Sequence, residues 1–378
     1  MAHRADIEFF TEKKNWSVRK DRILSRYLAA YLPKVNRGVG KPILLVDGFA
    51  GAGKFEDGTR GSPMLMLHAI VKANPSHGAK VLAIEKEEVL HARLSALFSA
   101  SSIVDTRHAS FLESVEAIKK QAIGKSLFLY LDLYAVRGMD LSQLRPLFEL
   151  ARKGHSVEVL INFNAPIFVR WGLAAMNRST SIGTPTDEIP RRPELDELDA
   201  IVGGTWWREV LRTCDNFLEQ VEQIVNGYCS QLRQVYDEVC SHAVFSKTSH
   251  RVPKYFLVFA SRHPDALVLM NDEMVKSARD LIEEEAAGQI DLFDTSLTGT
   301  SANKRQLREC LQICADQPKR RGDLFYEVVR RKFGQYLRKE IRAEIESCLK
   351  DGLMESSTGK VRINDRVDVW WVPDLASP

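Results

Sequence analysis

The residues most suited to chemistry lie in one run, residues 46–55, which reads Val-Asp-Gly-Phe-Ala-Gly-Ala-Gly-Lys-Phe. The run follows residues 43–46, an apolar stretch typical of a buried parallel strand, and Asp47 stands where that strand ends. Gly51 and Gly53 let the backbone adopt a positive φ or approach a ligand closely. In a doubly wound sheet this position borders the ligand crevice. The run therefore predicts a ligand site, with a turn that only connects strand and helix as the alternative.

The spacing of the glycines narrows the class of ligand. The run lacks the glycine spacing of the dinucleotide fingerprint and the Gly-Lys-Ser/Thr of a P-loop. The pattern Asp-Gly-Phe-Ala-Gly-x-Gly is similar instead to the first motif of class I S-adenosylmethionine-dependent methyltransferases, in which the glycine loop passes under the methionine part of the cofactor. This similarity implies S-adenosylmethionine as the cofactor, held by Asp47, Phe49, Gly51 and Gly53.

The ends of the next two predicted strands carry further polar residues. In the class I fold an acidic residue after the second strand binds the ribose hydroxyls, since a carboxylate accepts two hydrogen bonds, and Glu85 holds that place. The third strand leads to Ser110, which we expect near the adenine. His108 is interpreted as a surface residue rather than a catalytic base.

The fourth and fifth strands supply the candidate catalytic and substrate-binding residues. Asp132 and Tyr134 follow the fourth strand, where nucleic-acid amino-methyltransferases have Asp/Asn-Pro-Pro-aromatic to hold the target amine and stack on the base. Leu133 replaces the proline, which leaves Asp132 to orient the amino group of the cofactor or a proton donor of the substrate. Asn162 and Asn164 end the fifth strand and are predicted to offer hydrogen bonds to the substrate.

Composition sets the broad class. The chain has 378 residues, 44% of them hydrophobic and 27% charged, with a formal net charge of +3, values typical of a globular protein of two or three domains. No apolar run reaches the length of a membrane span and the N-terminus lacks the apolar stretch of a signal peptide, so we expect a cytoplasmic protein without a membrane partner. The six cysteines show no metal-ligand spacing, which predicts reduced thiols and no metal.

Alternating strand and helix patterns predict an α/β, Rossmann-like, doubly wound sheet of the class I methyltransferase type. The predicted order is a helical N-terminal extension at 1–40, a methyltransferase domain at 41–287 with an insertion at about 165–202, a linker at 288–302 and a winged-helix-like domain at 303–378. Predicted strands are residues 43–46, 81–84, 103–106, 127–131, 157–163, 243–246 and 255–261.

The first helix pattern, over residues 9–35, has two faces. Its apolar stripe predicts a buried side, and we expect Pro33 and the glycines Gly38 and Gly40 to end the helix. Its polar side is interpreted as a solvated face, with substrate contact as the alternative. That side carries Lys13, Lys14, Arg19, Lys20 and Arg22.

The C-terminal region reads as three helices, at 303–315, 321–333 and 336–350, followed by short strands at 353–355, 360–363 and 367–372, which is the winged-helix pattern. Residues 301–350 contain 13 Lys or Arg against 7 Asp or Glu. This excess favours DNA or RNA as a partner, although winged helices also bind proteins. The third helix would face the groove through Arg338, Lys339 and Arg342.

Most of the chain resembles the three-Cys-motif partner protein family of bacteria and phages. The matching stretches are residues 9–33, the glycine loop with Gly61-Ser62-Pro63, 128–138, 160–163, Trp206-Trp207, 255–274 and 323–352. The resemblance implies a partner protein with a three-cysteine motif encoded nearby. The chain departs from the family where similar proteins read Asp-Pro-Phe-Gly and this one reads Asp132-Leu133-Tyr134-Ala135.

These observations support one main function and two alternatives. The main hypothesis is an S-adenosylmethionine-dependent methyltransferase that acts on a nucleic acid or a macromolecular partner recruited by the winged-helix domain. The second is a non-catalytic binding or regulatory protein of the same fold, which the loss of the proline at Leu133 favours. A nuclease ranks third, because the adjacent pairs Glu56-Asp57 and Glu87-Glu88 point apart rather than converge on a metal.

Overall fold

The structure is a computed structural model that describes residues 15–133, 138, 140–178, 193–247, 249–288 and 300–372. The chain divides into two compact units, Met1–His263 and Pro264–Pro378. In the described residues no helix is both long enough and apolar enough to cross a membrane. All six cysteines are buried and unbridged.

A seven-stranded sheet forms the centre of the first unit. Its strands are β1 (Ile43–Asp47), β2 (Ala79–Glu85), β3 (Val104–His108), β4 (Ser126–Leu131), β5 (Val157–Phe163), β6 (Glu238–Val244) and β7 (Tyr255–Ser261). The order is β3-β2-β1-β4-β5-β7-β6. The pairs among β1 to β5 are parallel, whereas β7 is antiparallel to β5 and to β6. The predicted α/β sheet is confirmed in its five parallel strands, and β6 and β7 add an antiparallel pair.

Nine helices of the described part of this unit surround the sheet. They are α1 (Asn15–Gly38), α2 (Ser62–Ala73), α3 (Glu88–Phe98), α4 (Phe111–Ala122), α5 (Leu141–Arg152), α6 (Ala165–Arg178), α7 (Leu195–Val202), α8 (Trp206–Thr213) and α9 (Phe217–Arg233). Every residue of β1, β4, β5 and β7 is buried, as expected for strands covered on both faces.

The two faces of the sheet differ in what they bury. Odd-numbered residues of β4 and β5, such as Leu129 and Ile161, join the large apolar core that includes α4, α5 and α9. Even-numbered residues of the same strands point to the opposite face, because successive side chains of a strand alternate. There Phe128 stacks on Tyr27 of α1 at a centroid distance of 5.6 Å. Helix α1 therefore covers the second face of the sheet.

The buried stripe predicted for α1 is confirmed in the described residues, since Ile23, Leu24, Tyr27 and Leu28 are at most 1% exposed. The expectation that Pro33 ends this helix is wrong, because α1 continues through it, whereas the predicted stop at Gly38 is confirmed. A proline lacks the backbone N–H and usually breaks a helix. Packing of the apolar stripe overrides that local preference here.

One other predicted boundary in this unit is wrong. β6 begins at Glu238 rather than at residue 243, shortly after α9 ends at Arg233. The predicted insertion at 165–202 contains α6 and α7, and its residues 179–192 lie outside the described part. Apolar contacts with the main core, such as those of Phe168 and Leu198, stabilise these helices.

The second unit contains four helices and a small sheet in its described residues. They are α10 (Pro264–Gly288), α11 (Thr300–Cys314), β8 (Lys319–Arg320), α12 (Arg321–Arg331), α13 (Arg338–Lys350), β9 (Met354–Ser356) and β10 (Asp368–Trp371). The strands pair in the order β8-β10-β9, with both pairs antiparallel. Residues 360–363 are not a strand, in contrast to the prediction, and β8 takes the third place in the sheet.

Helix α10 packs within this second unit, whereas the predicted domain boundary at residue 287 places it with the sheet domain. The buried side chain of Asn271 donates a 2.8 Å hydrogen bond to the carbonyl of Tyr336 and accepts one from the N–H of Gly334. Asp272 accepts a 2.9 Å hydrogen bond from the N–H of Arg338. These polar contacts join α10 to the start of α13.

One carboxylate lies deep under α1. The hydroxyl of Tyr27 donates a hydrogen bond to Glu158 of β5, which is 5% exposed. Burial raises the pKa of Glu158 from 4.5 to about 7, and the hydrogen bond from Tyr27 and the charge of Lys34 offset part of the rise. The folded protein thus binds this proton more tightly than the unfolded chain, so stability falls as pH rises from about 4.5 to 7.

Replacing the carboxyl by an amide should remove that dependence. We expect Glu158→Gln to gain stability relative to the parent protein as the pH rises from 5 to 8, by about 3 kcal/mol at most. Urea denaturation of both proteins at the two pH values measures the difference. Glu116→Gln, an exchange at a carboxylate that is 65% exposed, is the control and should show no such gain. An equal difference between parent and Glu158→Gln at both pH values would contradict the assignment.

Candidate functional site

The glycine loop after β1 is held by backbone geometry and by one side chain. Gly51 and Gly53 have φ values of +59° and +74°, a region that residues with a Cβ rarely adopt. The N–H of Ala50 donates to the carbonyl of Ile84 at 2.9 Å. The N–H of Gly51 donates to Glu85 Oε2 at 2.8 Å. The predicted cofactor residues Gly51 and Glu85 therefore contact each other.

The loop also depends on a third glycine. The N–H of Gly61 donates to the carbonyl of Gly53 at 2.9 Å. A Cβ at residue 61 would lie 2.8 Å from that oxygen, which is closer than real contacts allow. The glycine pattern and the Gly-Ser-Pro that begins α2 are thus one packed unit.

Asp47 is completely buried at the end of β1. Its Oδ1 accepts a 3.2 Å hydrogen bond from the N–H of Phe49, and its Oδ2 has no hydrogen-bond partner among the described residues. Burial raises the pKa of Asp47 from 3.8 to about 7, the nearby Ser62 and the N–H of Phe49 lower it, and the charges of Asp132 and Glu85 raise it further. A buried acceptor with these properties favours a ligand that brings a positive charge and N–H donors.

Asp132, the predicted catalytic residue, is saturated with hydrogen bonds. Lys20 Nζ lies 2.5 Å from its Oδ1 and 2.6 Å from its Oδ2. Asn162 Nδ2 donates to Oδ1 at 2.7 Å, and the hydroxyl of Tyr130 donates to Oδ2 at 3.3 Å. A carboxylate has about four lone-pair sites. The four hydrogen bonds fill these sites, so a substrate proton donor must displace one of them.

Lys20 corrects the prediction for the polar side of α1. Its side chain is buried, and its Nζ lies 5.2 Å from the centroid of the Tyr255 ring, over the aromatic face. Arg19 is also buried and donates a hydrogen bond to the carbonyl of Phe245. The charge pattern indicated a solvated face, but part of this side faces the carboxyl ends of the strands.

The two predicted asparagines have different roles. Asn162 lies in the site, and its buried Oδ1 has no hydrogen-bond partner in the part of the chain that the structure describes. Asn164 uses its Oδ1 to accept a 3.2 Å hydrogen bond from the N–H of Ile167, at the start of α6. Such a bond satisfies one of the free N–H groups of a helix start. Only Asn162 is therefore positioned for a ligand.

Ser110 and Phe49 also have local partners. Ser110 begins α4 as a capping box, in which its hydroxyl donates to Glu113 Oε2 at 2.8 Å and accepts from the N–H of Glu113. Phe49 packs on Phe111 at a ring distance of 5.9 Å. His108 is exposed and stacks on His91, in agreement with a surface role.

The predicted nucleic-acid contacts of α13 are engaged within the second unit. Arg338 forms an ion pair with Asp272 at 2.6 Å. Arg342 forms one with Asp365 at 3.2 Å and lies over the ring of Phe325. Lys339 is exposed. Two of the three predicted cations therefore already face carboxylates.

The structure adds Lys20, Tyr130 and Tyr255 to the site. Tyr130 lies two residues before Asp132, so the alternation of β4 places both on the face that α1 covers. That alternation was readable in the sequence, whereas the pairing of Lys20 with Asp132 joins elements more than a hundred residues apart. Tyr134 lies outside the described residues. Within the described residues no cluster of three or more His, Cys, Asp or Glu side chains suits a metal ion.

No protein-family model and no curated protein matches the chain. Solved structures with similarity to it include methyltransferases. Human methyltransferase-like protein 13 in complex with SAH is 12% identical, with 75% of this chain and 97% of that chain covered and a TM-score of 0.34. The plantazolicin methyltransferase BamL, with SAH, is 10% identical, with coverages of 68% and 91% and a TM-score of 0.34. Spermidine synthase from Thermotoga maritima is 10% identical, with coverages of 75% and 73% and a TM-score of 0.34.

The buried ion pair between Lys20 and Asp132 should contribute measurably to stability. We expect Lys20→Met to lower the free energy of unfolding by about 2 kcal/mol, because Asp132 loses its only described cation contact while staying mostly buried. Lys80→Met removes an exposed pair with Asp105 and should cost less than about 0.5 kcal/mol.

A double-mutant cycle with Asp132→Asn isolates the pair. The loss in free energy of unfolding in the double variant should be smaller than the sum of the two single losses, by at least about 1 kcal/mol, since neither partner is left unpaired. Urea denaturation of the four proteins supplies the values. Strict additivity would show that the pair adds nothing to stability.

Proposed function

We propose that the first unit is a class I S-adenosylmethionine-dependent methyltransferase domain. The observation that carries this proposal is the unpartnered, fully buried Oδ2 of Asp47 beside the glycine loop, stated for the described residues. S-adenosylmethionine carries an ammonium group that could supply the missing donor and charge. The carboxylates of Asp132 and Glu85 add negative potential to the same crevice, as their effect on the pKa of Asp47 indicates.

The charge of the crevice favours this ligand over a phosphate-bearing nucleotide. Asp47, Glu85 and Asp132 follow or end three adjacent strands, and Lys20 contacts the third of these carboxylates. A sulfonium and an ammonium fit such a crevice, whereas phosphate groups would be repelled. Phosphate sites instead direct N–H groups and cations at the ligand.

Two carboxylates of the crevice then have defined roles in cofactor binding. Asp47 would bind the ammonium of the cofactor. Glu85 accepts one N–H on each oxygen, from Gly51 and from Glu87, and each oxygen retains a lone pair for a ribose hydroxyl. The bound cofactor supplies an activated methyl group, so the protein has only to align the acceptor and exclude water.

The finer parts of the proposal concern recruitment. We propose that α11 to α13 with β8 to β10 are a winged helix, supported by the helix order and by the three-stranded antiparallel sheet. We further propose a macromolecular substrate, with DNA or RNA contacted near Lys339, or a three-Cys-motif protein as partner. The motifs shared with the three-Cys-motif partner family support the second of these partners.

A non-catalytic binding protein is the alternative. The saturation of Asp132 by four hydrogen bonds favours it, because the residue expected to meet the substrate has no vacant lone pair in the described structure. Under this alternative the cofactor or a related molecule binds without transfer. Binding and transfer therefore need separate measurements.

Calorimetric titration with S-adenosylmethionine tests cofactor binding. We expect saturable binding by the parent protein and at least tenfold weaker binding by Gly51→Val, whose φ of +59° a branched residue resists, and by Glu85→Ala. Glu116→Ala, an exposed acidic residue on α4, is the matched control and should bind as the parent does. A parent protein that binds no cofactor at millimolar concentration refutes the proposal.

The pH dependence of binding tests the role of Asp47. Because its pKa is about 7 and only the ionised form attracts an ammonium, affinity should rise as the pH increases from 6 to 8. Asp47→Asn should bind more weakly and lose this dependence. The same titration, performed on the parent and on Asp47→Asn at three pH values, measures both affinities. An unchanged profile in Asp47→Asn would assign the dependence to another group.

A further inference from the structure

The crevice contains a complete recognition site for an ammonium group, occupied by Lys20. Two oxygens of Asp132 lie 2.5 and 2.6 Å from its Nζ, and the ring of Tyr255 lies 5.2 Å away. A carboxylate and an aromatic face are the groups that proteins commonly use to bind cationic amines. We refer to Asp132, Asn162 and Tyr255 as the ammonium socket.

The socket and its occupant come from different elements. Asp132 follows β4, Asn162 belongs to β5 and Tyr255 begins β7, and these three strands are neighbours in the sheet. Lys20 belongs to α1, the helix that covers this face. The walls are therefore fixed by strand pairing, and another ammonium can take the place of Lys20 without a change in the sheet.

One acceptor of the socket, on Asn162, is not used by Lys20. Its Nδ2 donates to the same Asp132 oxygen that Lys20 contacts, since a carboxylate oxygen only accepts. Its Oδ1 is buried and unpartnered among the described residues. An ammonium has three N–H donors, and Lys20 uses two of them on Asp132. A better-placed ammonium would use Asn162 Oδ1 for the third.

We propose that the methyl acceptor is a primary aliphatic amine and that Lys20 holds its place in the unliganded protein. This inference rests on the proposed methyltransferase function. A nucleobase amine is a weaker candidate, because it is neutral and would leave Asp132 without the charge that Lys20 supplies. In the transfer the ammonium first gives one proton to Asp132, which passes it to solvent. The C–N bond then forms as the C–S bond of the methyl donor breaks and its electron pair stays on sulfur.

The binding test restores the atoms that Lys20→Ala removes. n-Propylammonium equals the side chain beyond Cβ, and we expect it to raise the melting temperature of Lys20→Ala saturably, with an apparent affinity roughly tenfold above that of neutral 1-propanol. The parent protein should respond only at higher concentrations of the amine, because Lys20 competes for the socket. Lys80→Ala, which loses an exposed lysine, is the matched control and should respond as the parent does. Equal effects of the amine and the alcohol on Lys20→Ala would overturn the socket.

The transfer test uses the parent protein and needs no variant. It is incubated with S-adenosylmethionine and, separately, with poly-L-lysine, n-propylamine or a single-stranded DNA oligonucleotide, and methyl addition is read by mass spectrometry. Methylated poly-L-lysine identifies a lysine side chain as the acceptor, and methylated n-propylamine alone identifies a free amine. Methylation of DNA alone, or of no probe by a protein that binds the cofactor, overturns the inference. Absence of cofactor binding in the titration instead refutes the proposed function, while the n-propylammonium test still reports on the socket.

Discussion

The first unit depends on how negative charge is balanced at one edge of its sheet. Parallel strands bring their carboxyl ends together, so Asp47 and Glu85, which are buried, lie near Asp132, which is half-buried. Burial and, to a smaller extent, the charges of Asp132 and Glu85 raise the pKa of Asp47. Glu85 accepts backbone N–H groups from the loops around it, and Asp132 pairs with Lys20. The crevice therefore favours a ligand with positive charge and disfavours an anionic ligand.

Helix α1 connects this edge to the middle of the sheet. Lys20 contacts Asp132 near the carboxyl end, and Tyr27, seven residues later, contacts Glu158 four residues before Asn162 on β5. Seven helical residues span about 10 Å and four strand residues about 13 Å, so the two contacts are spaced similarly along the helix and along the strand. The same helix thus supplies the cation of the site and the cover of a buried carboxylate. Because both residues belong to α1, we expect a change in the packing of Tyr27 to shift Lys20 relative to Asp132.

The elements of the sheet were largely predictable, because β1, β4 and β7 consist mainly of apolar residues and are followed or ended by polar ones. The boundaries of β6 and the helices inside residues 165–202 were not, since contacts with the distant core select them. In the site, the strand-end positions of Asp47, Glu85, Asp132 and Asn162 follow from topology. The capping roles of Ser110 and Asn164 depend on local hydrogen bonds that several polar residues could have made. The contact of Lys20 with Asp132 was not predicted, because the charge pattern of a helix does not indicate which of its lysines faces a carboxylate.

The hydrogen bond between Gly61 and Gly53 separates the glycine loop that borders the crevice from the hairpin that follows it. Between them the chain makes a small hairpin, in which Lys54 bridges Arg60 and the N–H of Phe55 donates to the carbonyl of Thr59. The ends of this hairpin are fixed by the two glycines, whereas most of its side chains are exposed. Residues 54–60 are therefore an excursion whose length and composition can vary while the crevice keeps its shape. A spectroscopic label or a short peptide tag inserted there would report on the crevice from its rim without entering it.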